Sequence, residues 1–259
     1  MPISSSPETF ASDAVIVVPA RYASTRLPGK PLAEIGGLPM VVRVARRGLE
    51  ADCGPVLVAT DDRRVLTACE HHGIGAVMTG FNHQSGSDRV HEALEASGST
   101  ARAVIVLQGD LPLIDPGHLR IALETLRACD VATLASVIDD ERERHDPNVV
   151  KVIGTPLEGD GTAEGDRLRA LYFTRATAPH GEGPLLHHVG LYAYRREALK
   201  RFVALPQGVL ERRESLEQLR ALENGMRIDV AIVGGQPIGV DTPGDLDRVR
   251  GILAGEKVA

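Results

Sequence analysis

Tryptophan is absent from the chain, and aromatic residues make up only 3% of it. A core built without large rings must be filled by Val, Leu, Ile and Ala. Cysteine is scarce too. Cys53, Cys69 and Cys129 are scattered, with no CxxC and no Cys/His spacing that would hold zinc. An odd, dispersed set excludes a disulfide framework and points to buried thiols in a reducing cytoplasm. No apolar run reaches the roughly 18 residues of a membrane span. The opening "MPISSSPETFASD" lacks an apolar stretch and reads as a frayed tail, not a signal peptide. Positive charge is not in excess: the net charge is −6. A general nucleic-acid binder is more often basic, so any polyanion bound here should be small and held locally.

What is present is an ordinary soluble balance over 259 residues, 43% hydrophobic and 25% charged. That suits one large α/β domain, or one with a smaller lobe. Residues 14–18, 55–60, 75–79 and 103–109 read as strands. Helical patterns cover 39–51, 61–73, 87–97 and 115–128, with Ser87 as the expected N-cap of the third and Asp115–Pro116 opening the fourth. Buried apolar strands alternating with helices predict a doubly wound, mostly parallel sheet covered on both faces. The second half changes character. Strands at 130–138, 148–153, 168–174 and 187–196 have no full helices between the first three, and 156–167 reads as an exposed hairpin tip. Helices follow at 197–205, 212–225 and 242–255, with a late strand at 227–233.

One loop stands against the acidic background. Arg21, Arg26 and Lys30 crowd the stretch after the first strand, together with Ser24, Thr25 and Gly29. Ligands of doubly wound folds bind beyond the carboxyl ends of the strands. Three cations and glycine-freed backbone N–H groups there suit a polyphosphate. Any one of these arginines could instead be a solvated surface charge. There is no G-x-x-x-x-G-K-[ST] and no G-x-G-x-x-G after the first strand, which argues against a P-loop NTPase and a dinucleotide dehydrogenase. Two aspartates, Asp110 in "QGD" and Asp241 in "GVDTP", each follow a short glycine-containing turn motif. Two carboxylates with phosphate oxygens are a normal Mg²⁺ environment. Asp110 as a plain turn residue and Asp241 as the cap of the last helix are the bland alternatives.

"PARYASTRLPGKPLAEIGGLPM" (19–40) resembles the N-terminal signature of the 3-deoxy-manno-octulosonate cytidylyltransferases, the CMP-Kdo synthetases. The resemblance continues in order through "HQSGSDRVHEA" (83–93), "LQGDLPLID" (107–115), "DPNVVKVI" (146–153), "YFTRATAP" (172–179), "HHVGLYAYRR" (187–196), "ESLEQLRALENGMRIDV" (214–230) and "GVDTPGDLDRVR" (239–250). It implies a nucleotide-diphospho-sugar-transferase-like fold, and a homodimer that couples CTP and Kdo to give CMP-Kdo and pyrophosphate with Mg²⁺, for lipopolysaccharide assembly. It implies catalytic roles for Arg21, Lys30, Asp110 and Asp241, with Asp110 and Asp241 on the metal. It places Ala20, Arg21, Ser24, Lys30, Ser85, Gly86 and Gln108 on the nucleotide. Arg26, His188, Tyr192, Glu217 and Gln218 fall to the sugar acid. His188, Tyr192 and Tyr194 share one face of a regularly alternating strand. On this reading 1–259 is a single nucleotidyltransferase domain, and about 130–195 is an inserted β-rich α+β lobe for sugar binding and dimerisation. Neither nucleic acid nor membrane is an expected partner. Leu111 after "QGD", and "ATAP", resemble a subgroup within the family, for which an 8-amino-Kdo or a nonulosonate is the alternative sugar. A regulatory module that has kept the fold without turnover is the alternative of another kind.

Overall fold

The computed structural model describes residues 10, 13–235 and 238–255. Most of the N-terminal segment read as a tail lies outside the described residues. The chain divides into two compact units. One comprises 13–119 and 237–259, the other 1–12 and 120–236.

The first unit begins with β1 (Ala14–Ala20), whose residues are buried except for Pro19. A 3-10 turn (Lys30–Leu32) follows, then a small hairpin of β2 (Glu34–Ile35) and β3 (Leu38–Pro39) that periodicity gave no hint of. Helix α1 (Met40–Glu50) buries Met40, Val41, Val42, Val44, Ala45 and Gly48, the stripe expected of a helix laid on a sheet. β4 (Val56–Thr60), α2 (Arg63–His71), β5 (Gly75–Met78), α3 (Gly86–Ser97) and β6 (Ala103–Leu107) complete the alternation. These strands run parallel in the order β5-β4-β1-β6. All five residues of β6 are buried, as an interior parallel strand requires. Helix α4 (Pro116–Thr125) carries the chain out of this unit, with Asp115 accepting from the Gly117 N–H at its start.

The second unit contains β7 (Val131–Val137), the short α5 (Glu141–His145), β8 (Lys151–Glu158), β9 (Arg167–Thr174) and β10 (Leu186–Arg195). After them come α6 (Arg196–Val203), α7 (Val209–Glu214), α8 (Leu219–Glu223) and β11 (Ile228–Ile232). Its strands are ordered β10-β7-β11-β9-β8, and β10 pairs back with β8 at His187–Lys151, so this sheet curls toward closure. Only β7–β11 is parallel; the other pairings within this unit are antiparallel. The chain then returns to the first unit for α9 (Pro243–Leu253).

Three local expectations are corrected. Ser85, not Ser87, caps α3. Ser85 Oγ accepts from the Asp88 N–H while Asp88 accepts from the Ser85 N–H, a reciprocal capping box that leaves Ser87 buried in the first turn. The single helix expected over 212–225 is two short ones. Ser215 adopts a left-handed conformation between them (φ 56°) because the preceding Glu214 is held by β9 and the residue after it. Its carboxylate accepts from Thr174 Oγ1 (2.9 Å), Tyr172 OH (3.3 Å) and the Arg175 N–H (3.0 Å). Regular alternation along β10 is broken by a bulge between Val189 and Tyr192.

Candidate active site

Six segments of the first unit meet in a cleft of ≈ 360 Å³. Pro19 and Ala20 end β1. The loop from Arg21 to Arg26 follows, and Lys30 begins the 3-10 turn. His83 to Gly86 start α3. Gln108 to Asp110 leave β6, and Asp241 precedes α9. The cleft therefore lies past the carboxyl ends of β1 and β6.

The backbone builds the cleft before side chains enter it. Gly29 sits at φ 69°, turning the chain so that Lys30 faces inward, and its missing Cβ leaves room for the Tyr22 ring, whose hydroxyl would stand 3.1 Å away. A Cβ on Gly109 would lie 2.9 Å from the Pro19 carbonyl oxygen, so only glycine lets the end of β6 approach β1 this closely. The Val240 N–H donates to the Asp110 carbonyl (2.9 Å), tying the two aspartate-bearing segments together.

Lys30 is the hub. Its ammonium donates to Asp110 Oδ2 at 2.9 Å and to Asp241 Oδ1 at 2.8 Å. Its side chain is 15% exposed. Burial alone would lower its pKa, but the Asp110 charge and the bonds to both carboxylates outweigh it, and the pKa stands above the ordinary lysine value. The other oxygen of Asp241 pairs with an Arg26 guanidinium nitrogen at 3.0 Å. Arg26, expected on the sugar, thus stands with the carboxylate pair. Asp241 does not cap α9. Thr242 does so, with Asp245 completing a capping box, while the Asp241 N–H also donates to Asp245 Oδ2. Asp110 does lie in a turn, and the turn delivers its carboxylate to Lys30. Arg21 is exposed and makes no ion pair among the described residues. Ala20, Ser24, Ser85, Gly86 and Gln108 all line the cleft. Ser24 Oγ accepts from the Leu27 N–H and Ser85 Oγ caps α3, so the helix presents its N-terminal turn toward the cleft.

His188, Tyr192 and Glu217 lie near one another in the second unit, and Gln218 follows Glu217 in the chain. The His188 and Tyr192 rings are 5.4 Å apart, and Phe173 meets His188 edge-on at 5.0 Å. Burial, with His187 adding to it, pushes the His188 pKa down to about 3, so the ring is neutral. Burial, with Tyr194 and then Glu217 nearby, raises the Tyr192 pKa well above that of a free tyrosine. Glu217 is therefore close enough to Tyr192 to be felt electrostatically. Gln218 is 5% exposed, and its buried Nε2 has no hydrogen-bond partner in the protein. An orphan buried amide donor is costly and suggests a ligand acceptor.

The cytidylyltransferase family model matches residues 15–228. A 3-deoxy-manno-octulosonate cytidylyltransferase of Sinorhizobium medicae is 58% identical over 248 residues, covering 94% of this chain and 97% of that protein. One from Rhizobium meliloti is 59% identical, covering 93% and 95%. The chain belongs to the 3-deoxy-manno-octulosonate cytidylyltransferase family. A solved structure of CMP:2-keto-3-deoxy-manno-octonic acid synthetase complexed with CTP shares 41% identity and a TM-score of 0.85, covering 93% of this chain and 98% of that one. A nucleotidyl transferase from Methanothermobacter thermautotrophicus, 15% identical with a TM-score of 0.59 over 93% of this chain, shares the fold.

Within this family member, one group escaped the reading of the sequence. Asp61, just past β4, accepts from the Tyr22 N–H (3.0 Å) and from Arg89 Nη2 (2.9 Å). Arg89, with 4% of its side chain exposed, also reaches Thr79 Oγ1 and the Gly80 carbonyl, and it lines the cleft. Asp61 thereby fastens the cationic loop to α3. Its position after a buried parallel strand was the available signal, since strand-end acids are where such folds place functional carboxylates. Among the described residues no group of three or more His, Cys, Asp and Glu is arranged to hold a metal ion. No helix among them is long and apolar enough to cross a membrane.

Proposed function

We propose that the protein joins CTP to 3-deoxy-D-manno-octulosonate, releasing pyrophosphate and giving CMP-Kdo for lipopolysaccharide assembly. The observation that carries this reading is the convergence of Lys30 on Asp110 and Asp241 in a cleft lined by Arg21, Arg26 and Arg89, at strand ends of a chain so similar to Kdo cytidylyltransferases. The anomeric hydroxyl of the sugar attacks the α-phosphorus of CTP. A new O–P bond forms, the bond from the α-phosphorus to the oxygen bridging to the β-phosphate breaks, pyrophosphate leaves, and the hydroxyl proton passes to solvent. Arg21 and Lys30 face the triphosphate and neutralise charge that builds on its oxygens. Ser24, the Ser85–Gly86 turn, Ala20 and Gln108 position the nucleotide. Arg26 stands at the mouth of the same cleft, where the sugar's carboxylate is its natural partner.

The donor set fits Mg²⁺. Two hard carboxylate oxygens already share one cationic atom, and magnesium takes one or two carboxylates with substrate phosphates completing its shell. Asp110 and Asp241 would hold the ion, which supplies charge neutralisation at the phosphates when bound. His188, Tyr192, Glu217 and Gln218 form the sugar pocket, where the neutral rings, the amide and the Glu217 carboxylate acceptor suit hydroxyls. The deciding assay is pyrophosphate release from CTP with Kdo, with and without Mg²⁺, against a panel of sugar acids that includes an amino-Kdo and a nonulosonate. Absence of release with Kdo would overturn the reading.

A homodimer through the β-rich unit belongs to the same proposal. Leu157 on β8 and Leu171 on β9 stand 40% and 56% exposed, an apolar pair suited to a second copy. A monomer mass in sedimentation at micromolar concentration would contradict it. Cys53, Cys69 and Cys129 are buried and form no disulfide, which fits a reducing cytoplasm.

A further inference from the structure

Thr133, on β7, is fully buried and lies opposite the β10 bulge. Its hydroxyl oxygen is 2.8 Å from the Leu191 carbonyl oxygen, 3.1 Å from that of Val189, and 3.0 Å from His188 Nε2. A hydroxyl has one proton, and carbonyl oxygens only accept. If the proton went to His188, both carbonyls would face lone pairs on the Thr133 oxygen inside the protein. The arrangement is satisfied when Thr133 donates its one proton to a bulge carbonyl, of which that of Leu191 is the nearer, and accepts from His188 Nε2–H. The ring is clamped on its other sides by Phe173 and Tyr192, and the His188 N–H is taken by the Val150 carbonyl at 2.8 Å. Among the described residues Nδ1 has no protein hydrogen bond.

We propose that Thr133 is a positioning residue that fixes His188 as the Nε2–H tautomer, so that His188 offers a bare Nδ1 acceptor and recognises a hydroxyl of the sugar, not its carboxylate. The inference rests on the sugar reading above. An acceptor nitrogen on a neutral ring has nothing to give a carboxylate, whose oxygens also only accept. The anion is left to a cationic side chain, and His188 selects for a hydroxyl at one position of the ring.

The tautomer is read directly on the full-length protein without sugar. Long-range ¹H–¹⁵N correlation on ¹⁵N-histidine protein, with the His188 signals assigned by their loss in His188→Asn, should show a protonated Nε2 and an unprotonated Nδ1. Thr133→Val should mix the tautomers and raise the KM for Kdo about tenfold, the scale of one lost hydrogen bond. It should leave the KM for CTP unchanged. Thr133→Ser, which keeps the hydroxyl, should restore both the tautomer and the sugar KM. A protonated Nδ1 in the wild-type protein, or wild-type sugar kinetics and tautomer in Thr133→Val, would overturn the proposal. If Thr133→Val does not fold, the wild-type tautomer and the Thr133→Ser kinetics decide. A wild-type protein that releases no pyrophosphate from CTP and Kdo would instead sink the sugar reading, while the tautomer still decides the role of Thr133.

Discussion

The cleft of the first unit and the aromatic cluster of the second deal with polar groups by opposite means. In the cleft, charge is kept and balanced: Lys30 between Asp110 and Asp241, Arg26 on Asp241, Arg89 on Asp61. In the cluster, the titratable rings are neutral, with Glu217 as the carboxylate near them. His188 is held neutral by burial, the Tyr192 phenol is held protonated, and Gln218 keeps a donor without a partner. Paired charges suit a ligand whose own charge is large and whose contacts are electrostatic. Neutral, half-satisfied groups suit a ligand read hydroxyl by hydroxyl, because a missing hydrogen bond in a buried site is penalised heavily.

Four tests would break or sharpen that contrast. Asp110→Asn, Asp241→Asn and Lys30→Ala should each lower turnover at least ~100-fold, since each removes charge from the phosphate side, while the protein stays folded. Steady-state kinetics with circular dichroism checks this, and near-normal activity at modest Mg²⁺ would remove these residues from the chemistry. Next comes Asp61→Ala. It strips the carboxylate from a guanidinium that is 4% exposed and should cost about 3 kcal/mol, roughly 10 °C in a thermal melt, with a raised KM for CTP as the Tyr22 N–H is released. A melt unchanged within a degree or so would show that Arg89 does not need its partner.

Gln218→Leu should separate function from stability. The sugar KM should rise roughly five- to 150-fold, the range of ~1–3 kcal/mol for one buried hydrogen bond, with CTP binding intact. The same change deletes an orphan donor, so the melting temperature of the sugar-free protein should hold or rise. Calorimetry with each substrate tests the first claim; weakened CTP binding with normal Kdo binding would reverse the assignment of the two sites. The last test is a pH slope, the most gradual of the four. His188 has a folded pKa of about 3 against an ordinary 6.5. Between those values the unfolded chain binds a proton that the folded one does not. The contribution is therefore complete above pH 6.5 and is lost as pH falls toward 3, by at most about 1.4 kcal/mol per unit. Denaturant titrations of wild type and His188→Asn over that window should converge as the pH falls.

The repeating architecture of 13–119 was legible because β1, β4 and β6 are largely buried apolar runs and the helices between the strands carry apolar stripes. Lys30, Asp110 and Asp241 were legible as residue types that suit phosphate and metal, and the family motifs supplied their company. What was hidden depends on partners distant in the chain. The cap at Ser85 and that expected at Ser87 look alike until Asp88 chooses between them. The break at Ser215 is imposed by Tyr172, Thr174 and Arg175, which no helical period can report. The bulge on β10 puts two extra residues between Val189 and Tyr192 against β7, an insertion that strand alternation does not report. Asp61 drew no notice because its partners, Tyr22 and Arg89, come from two other segments.

The bridge at Lys30 has a consequence for how the cleft fills. Lys30 and Arg26 carry two positive charges, Asp110 and Asp241 two negative ones, and the formal sum of the four is zero. Arg89 is likewise cancelled by Asp61. A triphosphate drawing near meets Arg21 as the sole lining arginine or lysine without a carboxylate among the described residues, and so feels little net pull. Its surplus charge has to arrive already escorted by a counter-ion, or else open the Lys30 bridge to make one. The charged groups of the cleft already balance one another, and nucleotide entry is an exchange of partners among them, not the filling of a positive hole.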